Sequence, residues 1–327
     1  MSSRREFITL LGGAAAWPLA ARAQQAGKIR RIGVVSGTST STFSRLAAAF
    51  LQGMRELGYA EGRDFQIEYH FAEGKYERFP EIAVELVRSD VDVIVTGTTA
   101  TMRSLRHATT AIPIVLAYST DPIGNGFVAS LARPGGNITG LSGSADDTSP
   151  KQLELLTMIV PNASHIGLLG NPASPPYTDV RKAAQNAAQK VGLTLVPVGA
   201  SNPQEIESAF AEFQKQRVQA FIGTGDAMLF TQRQQIADLA VKNHLPSMFP
   251  QREYAEAGGL MSYGENLSDF FRRAASFVDK IFRGAKPGDL PIEQPTHFNL
   301  AINRKTADAL GVTIPPQLYI FADEVIE

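Results

Sequence analysis

Residues 91–122 read VDVIVTGTTATMRSLRHATTAIPIVLAYSTDP, and this stretch decides the fold. Val91-Val95 is a short β-branched apolar run, Ala100-Thr109 has helical spacing, and Pro113-Ala117 is a second continuous apolar run. Strands that read as unbroken Val/Ile/Leu runs are buried on both faces, which requires parallel pairing with helices above and below. The unit is therefore β–α–β. Each strand ends in a polar loop, Thr96-Gly97-Thr98-Thr99 and then Tyr118-Ser119-Thr120-Asp121-Pro122.

The same rhythm extends in both directions. Upstream, Ile32-Val35 reads as a strand, Leu46-Leu57 as a helix stopped by Gly58, Phe65-Tyr69 as a strand and Tyr76-Ser89 as a helix. Downstream, turn chemistry at Ala132-Arg133-Pro134-Gly135-Gly136-Asn137 leads into Ile138-Ser142, a candidate crossing segment. The series then restarts with helix Lys151-Ile159, strand His165-Leu169, helix Val180-Val191 and strand Leu193-Val198. Ile206-Lys215, Ala220-Gly223, Gln232-Asn243 and Pro246-Phe249 continue it. Two βα series of similar length predict an α/β protein of two doubly wound parallel-sheet lobes. The tail breaks the rhythm with strand Leu260-Tyr263, long helix Leu267-Arg283 and strand Phe298-Ile302, as a chain returning between lobes would. The expected first lobe is 28–141 plus about 265–292, and the second 144–258 plus about 295–327. Crossings are expected near Leu141-Gly143, Ala257-Gly258 and Glu293-Pro295, forming a hinge of several segments.

The beginning of the chain carries an address. Arg4-Arg5 precedes an uncharged run, Ile8 to Ala21, and a small-x-small site at Ala21-Arg22-Ala23. Basic start, short apolar core and small residues at the cut make residues 1–23 a twin-arginine signal peptide by pattern. An apolar core of about fourteen residues falls short of the roughly twenty that span a bilayer. Cleavage after Ala23 would leave a soluble chain in the periplasm. It would also remove Arg4, Arg5, Arg22 and Glu6, moving the formal charge from −1 to −3. Such a balance gives no reason to expect nucleic acid as a partner. With no cysteine, disulfides and thiolate chemistry are excluded.

Ligands of open parallel sheets bind beyond the carboxyl ends of the strands, where loops meet helix N-termini. Candidate ligand-binding residues therefore come from the loop after each strand: Gly37 and Thr38, Thr98 and Thr99, Tyr118 and Ser119, Asn171 and Tyr177, Asp226, and Tyr263 at a strand end. Hydroxyls and free N–H groups at helix starts suit a carboxylate. The same Ser and Thr residues are also favoured as plain N-caps. Asp226, in the glycine-flanked Gly223-Thr224-Gly225-Asp226, reads either as a cap or as the partner of a cation. Tyrosines at strand ends read either as flat walls for a ring or as packing.

No catalytic or metal constellation emerges. His70, His107, His165, His244 and His297 show no HExxH spacing, Gly140-Leu141-Ser142-Gly143 lacks the nucleophile-elbow pattern, and Gly223-Thr224-Gly225-Asp226-Ala227-Met228 lacks the third glycine of a dinucleotide loop. No enzyme activity, metal or cofactor is expected, and a monomer is. A sensory module for a membrane kinase would share every residue of this reading. A periplasmic enzyme on a small acid would need the missing nucleophile or metal cluster.

Several strings carry a family resemblance: Asp121-Pro122-Ile123-Gly124 with Ser130-Leu131-Ala132-Arg133-Pro134-Gly135-Gly136-Asn137, Ala257-Gly258-Gly259-Leu260-Met261-Ser262-Tyr263-Gly264, and Leu290-Pro291-Ile292-Glu293-Gln294-Pro295-Thr296. In these the chain resembles the ABC-transporter substrate-binding proteins of the tryptophan/tyrosine-binding-like branch, a branch of the type I periplasmic binding proteins. The resemblance implies two lobes closing around a small molecule and delivering it to a membrane permease. It also implies a ligand α-carboxylate on Thr98, Thr99 and Ser119, and an ammonium on Asp226.

Overall fold

The computed structural model describes residues 28–143, 145–294 and 297–327, so the leader lies outside the described residues. The first sheet has five parallel strands, β1 (Arg30–Ser36), β2 (Phe65–Phe71), β3 (Val93–Thr96), β4 (Ile114–Leu116) and β5 (Ile138–Gly140), in the order β2-β1-β3-β4-β5. Side-chain alternation splits β1, β3 and β4 between two cores. Ile32, Val34, Val93, Val95 and Val115 pack on one face, while Val35, Ile94, Ile114 and Leu116 pack on the other.

The first face is covered by α1 (Thr40–Glu56) and α10 (Leu267–Phe282). Phe43, Leu46, Phe50 and Met54 recur on one side of α1 and are buried against Phe270, Phe271, Ala274 and Val278 of α10. The close approach requires Gly53, where a Cβ would sit 2.2 Å from the Arg272 carbonyl oxygen. On the second face lie α2 (Phe79–Arg88) and α3 (Thr99–Ala108).

The second sheet contains β6 (His165–Gly170), β7 (Thr194–Gly199), β8 (Ala220–Gly223), β9 (Ser247–Phe249), β10 (Met261–Gly264), β11 (Asn299–Asn303) and β12 (Glu324–Ile326). Their order is β12-β11-β10-β9-β8-β6-β7. Its helices are α4 (Ala145–Ile159), α5 (Tyr177–Lys190), α6 (Pro203–Lys215), α7 (Ala227–Thr231), α8 (Arg233–Lys242), α9 (Arg252–Glu256), α11 (Arg304–Leu310) and α12 (Pro316–Phe321). Strands β6 to β10 are parallel, as the apolar runs predict. β11 instead runs antiparallel to β10, with β12 parallel to β11. The reason is topological: β10 leads out toward the first lobe and β11 leads back in, so the two must oppose.

Three segments join the lobes. Leu141–Gly143 carries the chain from β5 to α4, and it lies beside the third segment through the bonds Ser142 N–H to Glu293 O (2.8 Å) and Glu293 N–H to Gly140 O (3.0 Å). The second crossing is at Glu265–Asn266, between β10 and α10, and not at Ala257-Gly258. β10 pairs with β9 and β11, so the chain is still inside the second sheet there. Gly258, with φ +105°, makes the turn from α9 into β10. The third segment runs from Glu293 toward β11; Pro295 and Thr296 lie outside the described residues.

Candidate ligand-binding site between the lobes

In the first sheet the strand order reverses at β1/β3, and in the second at β6/β8. Loops beyond the carboxyl ends of those strands diverge and leave a crevice. The two crevices face one another around a cavity of about 140 Å³ lined from both lobes.

The first-lobe wall is built on the N-terminus of α3. Thr98 is the N-cap, and its Oγ1 accepts from the Thr101 N–H (3.2 Å). The first-turn N–H groups of Thr99 and Ala100 have no intrahelical acceptor and lie at the positive end of the helix dipole. Thr99 Oγ1 accepts from the Thr120 N–H (3.2 Å) and lies within hydrogen-bonding distance of Ser119 Oγ (3.3 Å), which ties the loops after β3 and β4 together. Ser36 and Thr38 pair through their hydroxyls at 2.9 Å and line the same wall. Phe43, Leu46, Tyr118 and Phe271 supply its apolar surface.

The opposing wall centres on Asp226, which is 7% exposed. It is the N-cap of α7, with Oδ1 accepting from the Leu229 N–H (2.9 Å). Asn171 Nδ2 lies 3.3 Å from both carboxylate oxygens, and the Tyr76 hydroxyl donates to Oδ2 from the first lobe. Burial pushes the Asp226 carboxyl above the usual carboxylate range, against the pull of the Tyr76, Leu229 and Asn171 donors. The Tyr76 phenol is raised in turn by its own burial and by the Asp226 charge. Among the described residues no Lys, Arg or His lines the cavity, while Asp226 and Glu265 both do. A wall with two buried carboxyl groups thus faces a wall of neutral donors. That arrangement favours a ligand carrying one cationic and one anionic group.

Of the residues chosen from sequence, Thr38, Thr98, Thr99, Tyr118 and Asp226 line the cavity. Gly37 sits at the lobe contact, where a Cβ would come within 2.8 Å of Ala227 Cβ. Ser119 and Asn171 lie behind the wall, holding Thr99 and Asp226. Tyr177 and Tyr263 are not wall residues. The Tyr177 ring lies over Gly170, where a Cβ would come within 2.3 Å of it, and its neighbours Pro176 and Val180 reach the cavity instead. Tyr263 stacks on Phe298, with centroids 5.8 Å apart, and packs with the helices covering the second sheet.

Sequence reading passed over Tyr76, Gln152, Gln251 and Glu265, all of which line the cavity. The strand-end rule does point to Gln251, two residues beyond β9, and to Glu265, directly after β10. Nothing comparable marks Tyr76 or Gln152, which come from a turn after β2 and from the middle of α4.

The chain belongs to the ABC transporter substrate binding protein family, whose model matches residues 31–326. It is 24% identical over 286 residues to the tyrosine-binding protein of Clostridioides difficile (strain R20291), covering 87% of this chain and 82% of that one. Two solved structures are similar over 91% of this chain and the whole of theirs. A conserved domain protein from Vibrio cholerae matches with a TM-score of 0.85 and 27% identity. An ABC domain from Streptococcus pneumonia in complex with L-Trp matches with a TM-score of 0.84 and 26% identity. No helix among the described residues is long and apolar enough to cross a membrane.

Proposed function

We propose that this chain is the periplasmic receptor of an ABC importer and that it captures an amino acid with an aromatic side chain between its lobes. The observation that carries this reading is Asp226, a buried carboxylate on a wall where none of the described residues is Lys, Arg or His, opposite the N–H groups that begin α3. An ammonium matches the first and a carboxylate the second. Phe43, Tyr118, Phe230 and Phe271 offer apolar surface to a ring, consistent with the L-Trp held by one similar structure and with the name of the tyrosine-binding relative. Neutral donors hold a carboxylate without an arginine clamp, which suits a molecule that must later be released to a permease. The protein acts as a monomer without chemistry of its own. Ligand binding to both lobes favours the closed arrangement by the difference in affinity for the two states.

The test is calorimetry with L-Trp, L-Tyr, L-Phe, indole-3-propanoate and a neutral hexose. The amino acids should bind, indole-3-propanoate more weakly, and the hexose not at all. A preference for the hexose would overturn the reading. Export through Arg4-Arg5 belongs to the same proposal: replacing both by lysine should leave precursor in the cytoplasm, and normal delivery of that variant would refute the twin-arginine route.

A further inference from the structure

The cavity has a second polar corner, on α4. Gln152 is 3% exposed, and its Nε2 donates to the Tyr263 carbonyl oxygen of β10 (2.8 Å). That bond fixes which end of the amide is the donor and leaves Oε1 as an acceptor turned away from Tyr263. Among the described residues no donor reaches this oxygen. Nor is it sealed off. The buried side-chain atoms that are both unpaired and closed to water are Gln235 Oε1, Gln251 Oε1 and Tyr254 OH, and Gln152 Oε1 is not one of them. Since Gln152 lines the cavity, its open acceptor meets that space.

Ser149 lies three residues earlier, on the same face of α4. It is 5% exposed and also lines the cavity. Its hydroxyl has no partner among the described residues and is likewise not sealed off. One acceptor and one hydroxyl, both nearly buried and both unspent on the fold, therefore stand side by side. Once a ligand drives water from the cavity, polar atoms left unmatched there carry their full desolvation cost.

This corner is set apart from the Asp226 charge. Gln152 is anchored to β10 and Asp226 follows β8, with β9 between them. Two strand spacings separate the ends of β8 and β10 by about 10 Å. Pro250, directly after β9, lines the cavity between the two. A ligand whose ammonium meets Asp226 thus brings its far end, not its amino-acid head, to α4.

We infer that Gln152 and Ser149 read the edge of the ligand's ring. Gln152 Oε1 accepts the phenol O–H of a tyrosine or the indole N–H of a tryptophan, and Ser149 donates to the phenol oxygen. The pair is then specificity-determining for rings that carry a polar hydrogen over plain phenyl. The inference rests on the amino-acid reading above and deepens it.

The experiment measures L-Tyr, L-Trp and L-Phe by calorimetry on the wild type, Gln152→Met and Ser149→Ala, with thermal melts to establish folding. Ratios taken within one variant cancel any loss common to all three ligands. The wild type should prefer L-Tyr and L-Trp to L-Phe. Gln152→Met, which removes the acceptor at similar volume, should lower both preferences about tenfold. Ser149→Ala should lower the L-Tyr preference about threefold and not the L-Trp preference, because an indole N–H donates but cannot accept. A wild type that binds all three alike, or L-Phe best, overturns the inference and leaves the amino-acid reading standing. Unchanged ratios in Gln152→Met do the same, and so does an unchanged L-Tyr to L-Phe ratio in Ser149→Ala, which decides the matter if Gln152→Met does not fold. A wild type that binds none of the three overturns both readings.

Discussion

On the first-lobe side of the cleft, polar recognition is local. The N–H groups that begin α3, the Thr98 cap and the Thr99–Ser119–Thr120 hydroxyls come from two strand-end loops about twenty residues apart in the chain, and their bonds run among themselves. On the second-lobe side it is assembled over long range. Asp226 takes donors from Asn171, 55 positions away, and from Tyr76 of the other lobe, 150 positions away. The first wall therefore persists whether the lobes are together or apart, while the second is complete only when they meet. A locally built wall of neutral donors thus faces a buried carboxyl group whose donors come from both lobes.

Asp226→Ala tests that asymmetry most severely. Removing a charge that faces a buried ammonium should cost on the order of 2–5 kcal/mol of L-Trp binding, read by calorimetry. The same change deletes an N-cap and lowers stability by about 1 kcal/mol in a thermal melt. Thr98→Val, on the other wall, removes a cap and no charge, so its loss should be smaller. If Thr98→Val weakened binding more than Asp226→Ala, the ligand would be a plain organic acid.

The effect of pH carries a sign that only the second wall can produce. Burial raises the Asp226 carboxyl above its unfolded value. In the ligand-free protein, its contribution to stability is therefore fully present below the unfolded value and declines as pH rises through the folded one. An ammonium ligand prefers the ionised form, so affinity should move the opposite way, rising through the same window and levelling above it. Binding in the lower part of that window should release a proton, seen as a buffer-dependent heat. Asp226→Asn should flatten both trends. A pH-independent affinity in the wild type would detach Asp226 from the ligand.

This contrast also explains what could be read from sequence. The Thr96–Thr99 and Tyr118–Thr120 loops were legible because each wall element directly succeeds an apolar strand. Asp226 was legible as a cap or as a cation's partner; the structure makes it a cap whose carboxylate lies buried at the cavity, which no spacing rule anticipates. Tyr76 was not legible, since its partner is 150 residues away. Tyr263 misled because alternation gives the period of a strand but not which face meets the cleft. Gly258 misled because a turn glycine has the same signature whether or not the chain changes lobe.

Tyr76→Phe tests the claim that closure completes the second wall. It deletes a cross-lobe hydrogen bond to a charged group, worth about 1.5–3 kcal/mol, and leaves the ring against Phe79. The loss should fall on the closed state, so small-angle scattering should show a larger radius for the ligand-free variant than for the wild type. Saturating L-Trp should bring the two together. Equal ligand-free radii would mean that this bond does not bias the lobes.

Arg45→Ala should have the smallest effect. Arg45 on α1 reaches across the rim to Glu256 (2.9 Å) and Glu253 (3.9 Å) on α9, and so it also joins the lobes. Its side chain is 53% exposed, and Glu256 already has a second partner in Arg252 at 3.1 Å. An exposed pair in water is worth about 0.2–1 kcal/mol and is screened by salt. The substitution should therefore weaken L-Trp binding by less than about fivefold at low salt, with the difference vanishing near 1 M salt. The same geometric role, a bond from lobe to lobe, is thus expected to matter several-fold more at Tyr76 than at Arg45, because one lies in the buried cleft and the other in solvent. If Arg45→Ala opened the ligand-free protein more than Tyr76→Phe did, closure would be governed at the rim, and Asp226 would answer to the ligand alone.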